Sequence, residues 1–378
     1  MIHSKNYRQK RRPLIEKIAF NYLSKLSLVE DRNTHEPHLL NVTERKEIKK
    51  IYNNTLFYAA LFGVLGVLCL YLPTYYWQEV FYDHLIYFPI INKELPVPII
   101  TTLYGLVLLY IELYALSAVN LTAVYKIAKV CGFPPLHDPK FNDHIEALMR
   151  VGLEKNDKTS QSYGINPLQG VSKVRLFLFL LINRLKGTIT NYAAKFIIKG
   201  LLGRVALRQV IDMTGIPVYA FWNAYAAHLV IHETKIRIMA PYLIQYYATS
   251  IHQRYGQNDE FRGMIYETLQ FIAISKRKYH HNHFLLAEEM LRKFNIPLVH
   301  HFELAPGYLE RVIKLSPDVR LEIVKFMALG FIIDGDFSIK ERTAINKLHK
   351  QNIIPFGSKE VDLWAKRFIN GEGLEGFF

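Results

Sequence analysis

Thr55–Leu72 reads TLFYAALFGVLGVLCLYL, eighteen apolar or small residues without a charge. A helix rises about 1.5 Å per residue and a bilayer's hydrocarbon core is about 30 Å thick, so this run reaches the spanning threshold. A backbone in lipid must satisfy its own hydrogen bonds, so the run is expected to be helical. The charge-free stretch lasts from Ile51 to Gln78, and Tyr75, Tyr76 and Trp77 close it with an interfacial aromatic belt. A second run follows between Glu94 and Lys126, LPVPIITTLYGLVLLYIELYALSAVNLTAVY, with one charge, Glu112. Together they predict a transmembrane helical hairpin over 51–126, its spans at about 55–75 and 97–119.

A carboxylate at the centre of a span costs roughly 2.5–3.5 kcal/mol on insertion scales. Two readings of Glu112 stand side by side: a carboxyl paired or protonated in a proton or ion path, or a hydrated one toward the exit of the second span. Orientation follows from basic residues. Residues 1–50 carry twelve Lys and Arg, among them Lys10, Arg11, Arg12, Arg45, Lys46, Lys49 and Lys50. The connector from Gln78 to Pro96 has only Lys93, beside Glu79, Asp83 and Glu94, and Lys126 and Lys129 follow the second run. Both termini are therefore expected in the cytoplasm. The first apolar run starts too far in for a signal peptide.

The first 50 residues also look amphipathic: Ile15, Ile18, Ala19, Tyr22 and Leu26 recur at helical spacing behind Lys5, Arg8, Lys10, Arg11 and Arg12. That pattern suits an interfacial helix on anionic lipid. The 378-residue chain has 47 Lys and Arg against 33 Asp and Glu, a net charge of +14, which calls for an anionic partner. A basic arm tethered beside two spans meets lipid headgroups before nucleic acid. A hydrophobic share of 50% excludes a wholly disordered chain, and two cysteines, Cys69 and Cys131, exclude a disulfide framework or a Cys-rich zinc site.

Residues 127–172 read as a loop-rich linker, with turn chemistry in GFPPLHDP and GINPLQG. Residues 173–254 read as an apolar helical region able to associate with the membrane, broken by Gly215-Ile216-Pro217. Within it Val174–Leu185 is too short to span, and Ile216–Ile231 contains Asn223 and His228, which favours a bundle helix or one lying against the membrane over a third span. His228 and His232 are an i, i+4 pair with Glu233 adjacent, and such histidines share a helix face that could bind a metal. The zinc-protease pattern needs its Glu directly after the first His, and HLVIHE places it after the second.

Residues 255–378 are expected to form a helical domain with an internal repeat. LQFIAISKRKYHHNHFLLAEEMLRKFNIPLV at 269–299 aligns without a gap with MALGFIIDGDFSIKERTAINKLHKQNIIPFG at 327–357, at an offset of 58. Tyr279 then matches Phe337, Met290 matches Leu348, Ile296 matches Ile354 and Pro297 matches Pro355. Each unit reads as helix, tight turn, helix and a terminating Ile-Pro. The turns differ in sign: Lys276, Arg277, Lys278, His280, His281 and His283 in the first, Asp334, Asp336 and Glu341 in the second. If the halves face each other, one turn neutralises the other. Ser338 and Glu341 also fit the S-x-x-E capping box. The competing reading is a divalent-cation site from Asp334, Asp336 and Glu341 with His283. It is not an EF-hand, because Ile339 and Ile345 stand where that loop needs Gly and Glu.

FIIDGDFSIKERTAINKL, at 331–348, resembles the turn of the TerB-like, tellurite-resistance-type helical domain, in which an apolar helix enters an Asp-Gly turn and a Glu follows in the next helix. The match rests on Asp334, Gly335 and Glu341, and the first half departs from it with KRKYHHNH. The resemblance implies an all-α domain of two similar halves, membrane-linked stress responses and metal sensing. GLLGRVALRQVIDMTGIPVYAFWNA, at 200–224, is weakly similar to EcsC-type bacterial proteins. Together they imply an uncharacterised kind of bacterial inner-membrane protein: all-α, two-pass, with a cytoplasmic helical body.

The function expected on these grounds is a non-enzymatic, membrane-anchored scaffold or sensor responsive to a divalent cation in envelope or metal stress. Its partners would be anionic lipid headgroups, a protein not identifiable from sequence, and further copies of the chain. One alternative is a membrane-bound metal-dependent hydrolase using His228, His232 and Glu233, or His280, His281, His283 and Glu288. Another is a small transporter or lipid-handling subunit with Glu112 in its path.

Overall fold

The computed structural model describes residues 13–28, 39–81, 84–88, 93–97, 99–135, 138–155, 163–167, 169, 208–277, 280–374 and 377. Among these the chain is α-helical apart from a short 3-10 stretch, Ser24–Leu28, and one antiparallel hairpin. The helices are α1 (Leu14–Leu23), α2 (Val42–Tyr76), α3 (Ile99–Val130), α4 (Phe141–Gly152) and α5 (Arg208–Tyr255). They continue with α6 (Asp259–Lys276), α7 (His281–Lys293), α8 (Tyr308–Lys314), α9 (Pro317–Ile332), α10 (Ile339–Lys350) and α11 (Ser358–Asn370). The hairpin joins α2 to α3: β1 (His84–Phe88) pairs with β2 (Lys93–Val97), His84 opposite Val97 and Phe88 opposite Lys93.

The chain divides into two compact units. The first comprises Met1–Ile48, Val124–Val171 and His232–Phe378, the second Lys49–Ala123 and Ser172–Ile231.

In the second unit, α2 and α3 are, among the described residues, the two helices long and apolar enough to cross a membrane. A core helix of a soluble protein would hide its apolar side chains. Here only 22% and 6% of the most apolar eighteen-residue stretches are buried. Phe57, Leu65, Leu103, Leu106, Tyr110 and Leu113 are all exposed. Polar side chains along α2 turn back onto its own backbone: the Thr55 hydroxyl donates to Ile51 O at 2.7 Å and that of Thr74 to Leu70 O at 3.1 Å. Such bonds satisfy these two hydroxyls within the helix itself. The Tyr104 hydroxyl of α3 donates to Cys69 O of α2 at 2.9 Å.

In the first unit most helices bury one face, whereas α9 is buried on every side from Phe326 to Ile332. α2 opens with a reciprocal cap: Asn41 Oδ1 accepts the Glu44 N–H at 2.8 Å and Glu44 Oε2 accepts the Asn41 N–H at 2.9 Å. These two bonds satisfy donors that the first helical turn leaves without intrahelical partners. The core holds Ile145, Leu148 and Met149 of α4, Ile236, Ile244 and Tyr247 of α5, and Phe326 and Phe331 of α9, all nearly inaccessible. Tyr247 stacks on Phe326, ring centroids 6.1 Å apart. In the DG turn after α9, Gly335 has φ +77° and abuts Ile236 and His232, a backbone angle and a clearance that favour glycine.

Three local readings of the sequence are corrected here. The linker contains α4, because Ile145, Leu148, Met149 and Gly152 fall on one buried face of FNDHIEALMRVG. Gly215-Ile216-Pro217 does not break the chain: α5 runs through it, and also through Pro241. The connector between the apolar helices forms strands rather than a plain loop. Val174–Leu185, most of the polar stretch at 154–162, and Lys278 and Tyr279 lie outside the described residues.

Candidate functional site

The polar groups of the first unit concentrate where α5 meets two helix-to-helix turns, one between α6 and α7 and one between α9 and α10. Lys276 ends α6 with its side chain only 5% exposed. Its Nζ donates to Asp334 Oδ1 at 2.7 Å, stands 3.2 Å from Glu341 Oε1, and donates to the backbone O of Asp336. Asp334 Oδ1 also accepts the Asp336 N–H at 3.2 Å, which closes the turn. Glu341 Oε2 accepts the Ser338 N–H at 2.6 Å, and the Ser338 hydroxyl caps Glu341 N. Burial pushes the Glu341 carboxyl above the ordinary glutamate value, against the opposing pull of Lys276 and Ser338.

The four residues expected to hold a cation are therefore placed as follows. Asp334 and Glu341 share the Lys276 ammonium, the Asp336 side chain is exposed, and His283 stands in the first turn of α7 with both ring nitrogens engaged. Among the described residues no group of three or more His, Cys, Asp or Glu side chains is placed to hold a metal ion. A primary ammonium lies where a divalent ion would have to bridge the carboxylates.

The other turn is a histidine cap. His280 Nδ1 accepts the Asn282 N–H at 3.1 Å, so the ring carries its proton on Nε2 and donates it to Glu233 Oε1 at 2.7 Å. His283 Nδ1 accepts the His280 N–H at 3.2 Å, so its Nε2 donates to Gly330 O at 2.8 Å. Burial is the largest influence on His283 and brings its value down to about 4. Glu233 also accepts from Arg237 Nε at 2.6 Å, and Arg237 reaches Ala147 O at 3.3 Å. Burial would raise the Glu233 carboxyl, but His280 and Arg237 outweigh it and hold it at about 2. The Asn282 amide spans the junction, donating to Ile333 O at 2.7 Å and Ile236 O at 3.3 Å.

Two candidate sets that look separate in sequence are thus partly one. Glu233, from the first hydrolase set, meets His280 from the second. Its neighbour His232 lies against Gly335, where a Cβ would come 3.0 Å from the ring Cε1. Glu288 is instead ion-paired with Lys140 at 2.7 Å. A general base needs a ring nitrogen that faces a substrate. His280 engages its two with the Asn282 N–H and the Glu233 carboxylate, and His283 engages its two with the His280 N–H and Gly330 O, so all four tie helix ends together. Sequence reasoning missed Arg237 and Asn282. The i, i+4 spacing of Glu233 and Arg237 was a usable signal, whereas nothing local marked Asn282 as a staple between helices.

The remaining candidates lie in the second unit. His228 Nδ1 is 3.1 Å from the Tyr52 hydroxyl, and Glu112 Oε1 accepts from Asn223 Nδ2 at 2.6 Å. Comparison with protein families, with curated proteins and with solved structures finds no match. The TerB-like and EcsC-like resemblances rest on the quoted residues alone.

Proposed function

We propose that this chain is a membrane-anchored scaffold or sensor, held by the α2–α3 hairpin, with both termini and the helical body on the cytoplasmic face of a bacterial inner membrane. The observation that carries the anchor is the exposure of the apolar faces of α2 and α3, whereas the first unit buries its own. Lipid is the surrounding that satisfies side chains such as Leu103, Leu106 and Leu113. α1 supports an anionic lipid contact: Ala19 and Leu23 face inward, while Leu14, Ile15 and Ile18 stay exposed next to the basic run that precedes them in sequence.

The pseudo-repeat, TerB-like reading of 255–378 draws support from element boundaries. α6 and α9 begin at 259 and 317 and α7 and α10 at 281 and 339, each pair 58 residues apart. Both second helices open with a capping box, His280 with His283 and Ser338 with Glu341. Past the second helices the register slips by one: the positive-φ residues are Asn295 and Asn352, 57 apart. In this reading Lys276 takes the place of a bound cation and holds the two halves together, leaving the body's outer surfaces for a protein partner.

Alkaline carbonate extraction of membranes tests the anchor. The expected result is full retention in the pellet; release into the supernatant overturns it. Calorimetric titration of the full chain in detergent with Ca²⁺, Mn²⁺ and Zn²⁺ tests the role given to Lys276. No saturable heat is expected, and stoichiometric binding lost in Asp334→Ala/Asp336→Ala would make the turn a cation sensor instead.

A further inference from the structure

The stretches 51–76, 99–123 and 216–231 of the second unit contain a single charged side chain, Glu112, and no lysine or arginine. Glu112 lies 13 residues after Ile99 and 11 before Ala123, so it stands near the middle of its stretch rather than at an end. The third stretch, from α5, packs against α2 backbone to backbone: a Cβ at Gly63 would come 2.7 Å from Tyr219 O and 2.8 Å from Ala220 N. Close approach through a glycine is characteristic of helix contacts in lipid, where small residues replace the hydrophobic drive. Phe221, Tyr225 and Leu229 of this stretch are exposed, as are the apolar side chains of α2 and α3. Glu112 is held between the partners. Its Oε1 accepts from Asn223 at 2.6 Å, and a Cβ at Gly66 would stand 3.1 Å from its Oε2.

We propose that Glu112 binds a proton at membrane depth, in a site closed by residues 216–231 as a third membrane-embedded helix. This rests on the membrane reading above. Among the described residues the side chain bonded to Glu112 is the neutral amide of Asn223, which supplies a hydrogen bond but not the counter-charge that a carboxylate in a low dielectric needs. From α5 the group facing Glu112 is Asn223, and from α2 it is Gly66. The same two helices also carry Cys69, Tyr71, Tyr219 and Tyr225, and the pair of His228 with Tyr52, which begins five residues along α5, roughly 7.5 Å in axial rise. A proton is the ligand that neutralises the carboxyl without a cage of oxygens, and a site that takes up and gives back one proton is the elementary unit of a proton-coupled step.

The test uses the full chain in lipid vesicles and dicyclohexylcarbodiimide, an apolar reagent for protonated carboxyls. The acid proton passes to a carbodiimide nitrogen, the carboxylate oxygen adds to the central carbon, and the acyl group migrates to nitrogen as a stable acylurea. Peptide mass mapping is expected to place the adduct on Glu112, with labelling that falls as pH rises and disappears in Glu112→Gln. Asn223→Leu, which frees the carboxyl oxygen, is expected to raise the labelling rate several-fold. Modification of Glu112 by a water-soluble carbodiimide instead, or protection by excess Na⁺, overturns the proposal, the first because the site is hydrated and the second because it holds a metal cation. Carbonate extraction separates the two levels: release overturns the membrane reading, whereas retention without an adduct on Glu112 overturns the proton site alone. Mapping on the wild-type chain keeps the test decisive if a variant fails to fold.

Discussion

Lys276 bridges two carboxylates in a place where none of the three partners is well hydrated: side-chain exposures are 5% for Lys276, 14% for Asp334 and 0% for Glu341. Breaking a buried ion pair by removing one partner leaves an uncompensated charge, which costs about 3–5 kcal/mol. Lys276→Met should therefore lower the melting temperature sharply, and adding Asp334→Asn and Glu341→Gln should recover most of the loss. Far-UV circular dichroism melts in detergent would show it; equal damage in single and triple variants would mean that Lys276 acts through packing. His283 makes a second prediction. Its folded value of about 4 lies below the ordinary 6.5, so between those pH values the unfolded chain takes up a proton that the folded chain refuses. Stability then rises with pH across that window, by about 3 kcal/mol if the whole shift is realised. Glu233 is shifted in the same direction, from 4.5 to about 2, so stability also rises with pH through it, but in a lower window that begins at about 4.5. Melting temperatures at pH 7 and pH 4.5 should differ more in the wild type than in His283→Gln; parallel losses would remove His283 as the cause.

At the scale of elements, what the sequence shows depends on the reach of the signal. α2 and α3 are legible because an unbroken apolar run needs no partner to be recognised. The cap at Ser338 and Glu341 is legible because both members fall within four residues. The meeting of Glu233 with His280 is not, since 47 residues separate them and only the packing of α5 on the α6–α7 turn joins them. α5 defeats the local rule that proline stops a helix. Pro217 forfeits one backbone bond, and the packing of Tyr219 and Ala220 on Gly63 keeps the helix running. α4 stays hidden because turn-rich text flanks a twelve-residue amphipathic segment. Two glycines separate packing from propensity. A Cβ at Gly263, inside α6, meets nothing within 4 Å, so Gly263→Ala should stabilise by about 0.5–1 kcal/mol. A Cβ at Gly63 meets backbone at 2.7 Å, so Gly63→Ala must push α2 and α5 apart and should destabilise by about 1–3 kcal/mol. Thermal melts of both variants check the signs; a neutral Gly63→Ala would mean that the α2–α5 contact is loose.

For the whole molecule the question is which surface faces which compartment, and the proposed orientation rests on charge. Twelve Lys and Arg precede the first apolar run, and one, Lys93, lies between Gln78 and Pro96. Moving the first set across a membrane would work against the positive-inside bias, so the proposed topology has the connector as the segment that crosses. A cysteine-scanning experiment reads this directly. In a background of Cys69→Ser and Cys131→Ala, Gln78→Cys and Lys129→Cys each place a single thiol at an exposed position. A membrane-impermeant maleimide should label Gln78→Cys in intact spheroplasts and Lys129→Cys only after permeabilisation. The reverse pattern would invert the orientation and move the helical body, with its Lys276 joint, out of the cytoplasm. Equal labelling of both in intact cells would mean that α3 does not cross, and the anchor would then reduce to helices lying on one face of the bilayer.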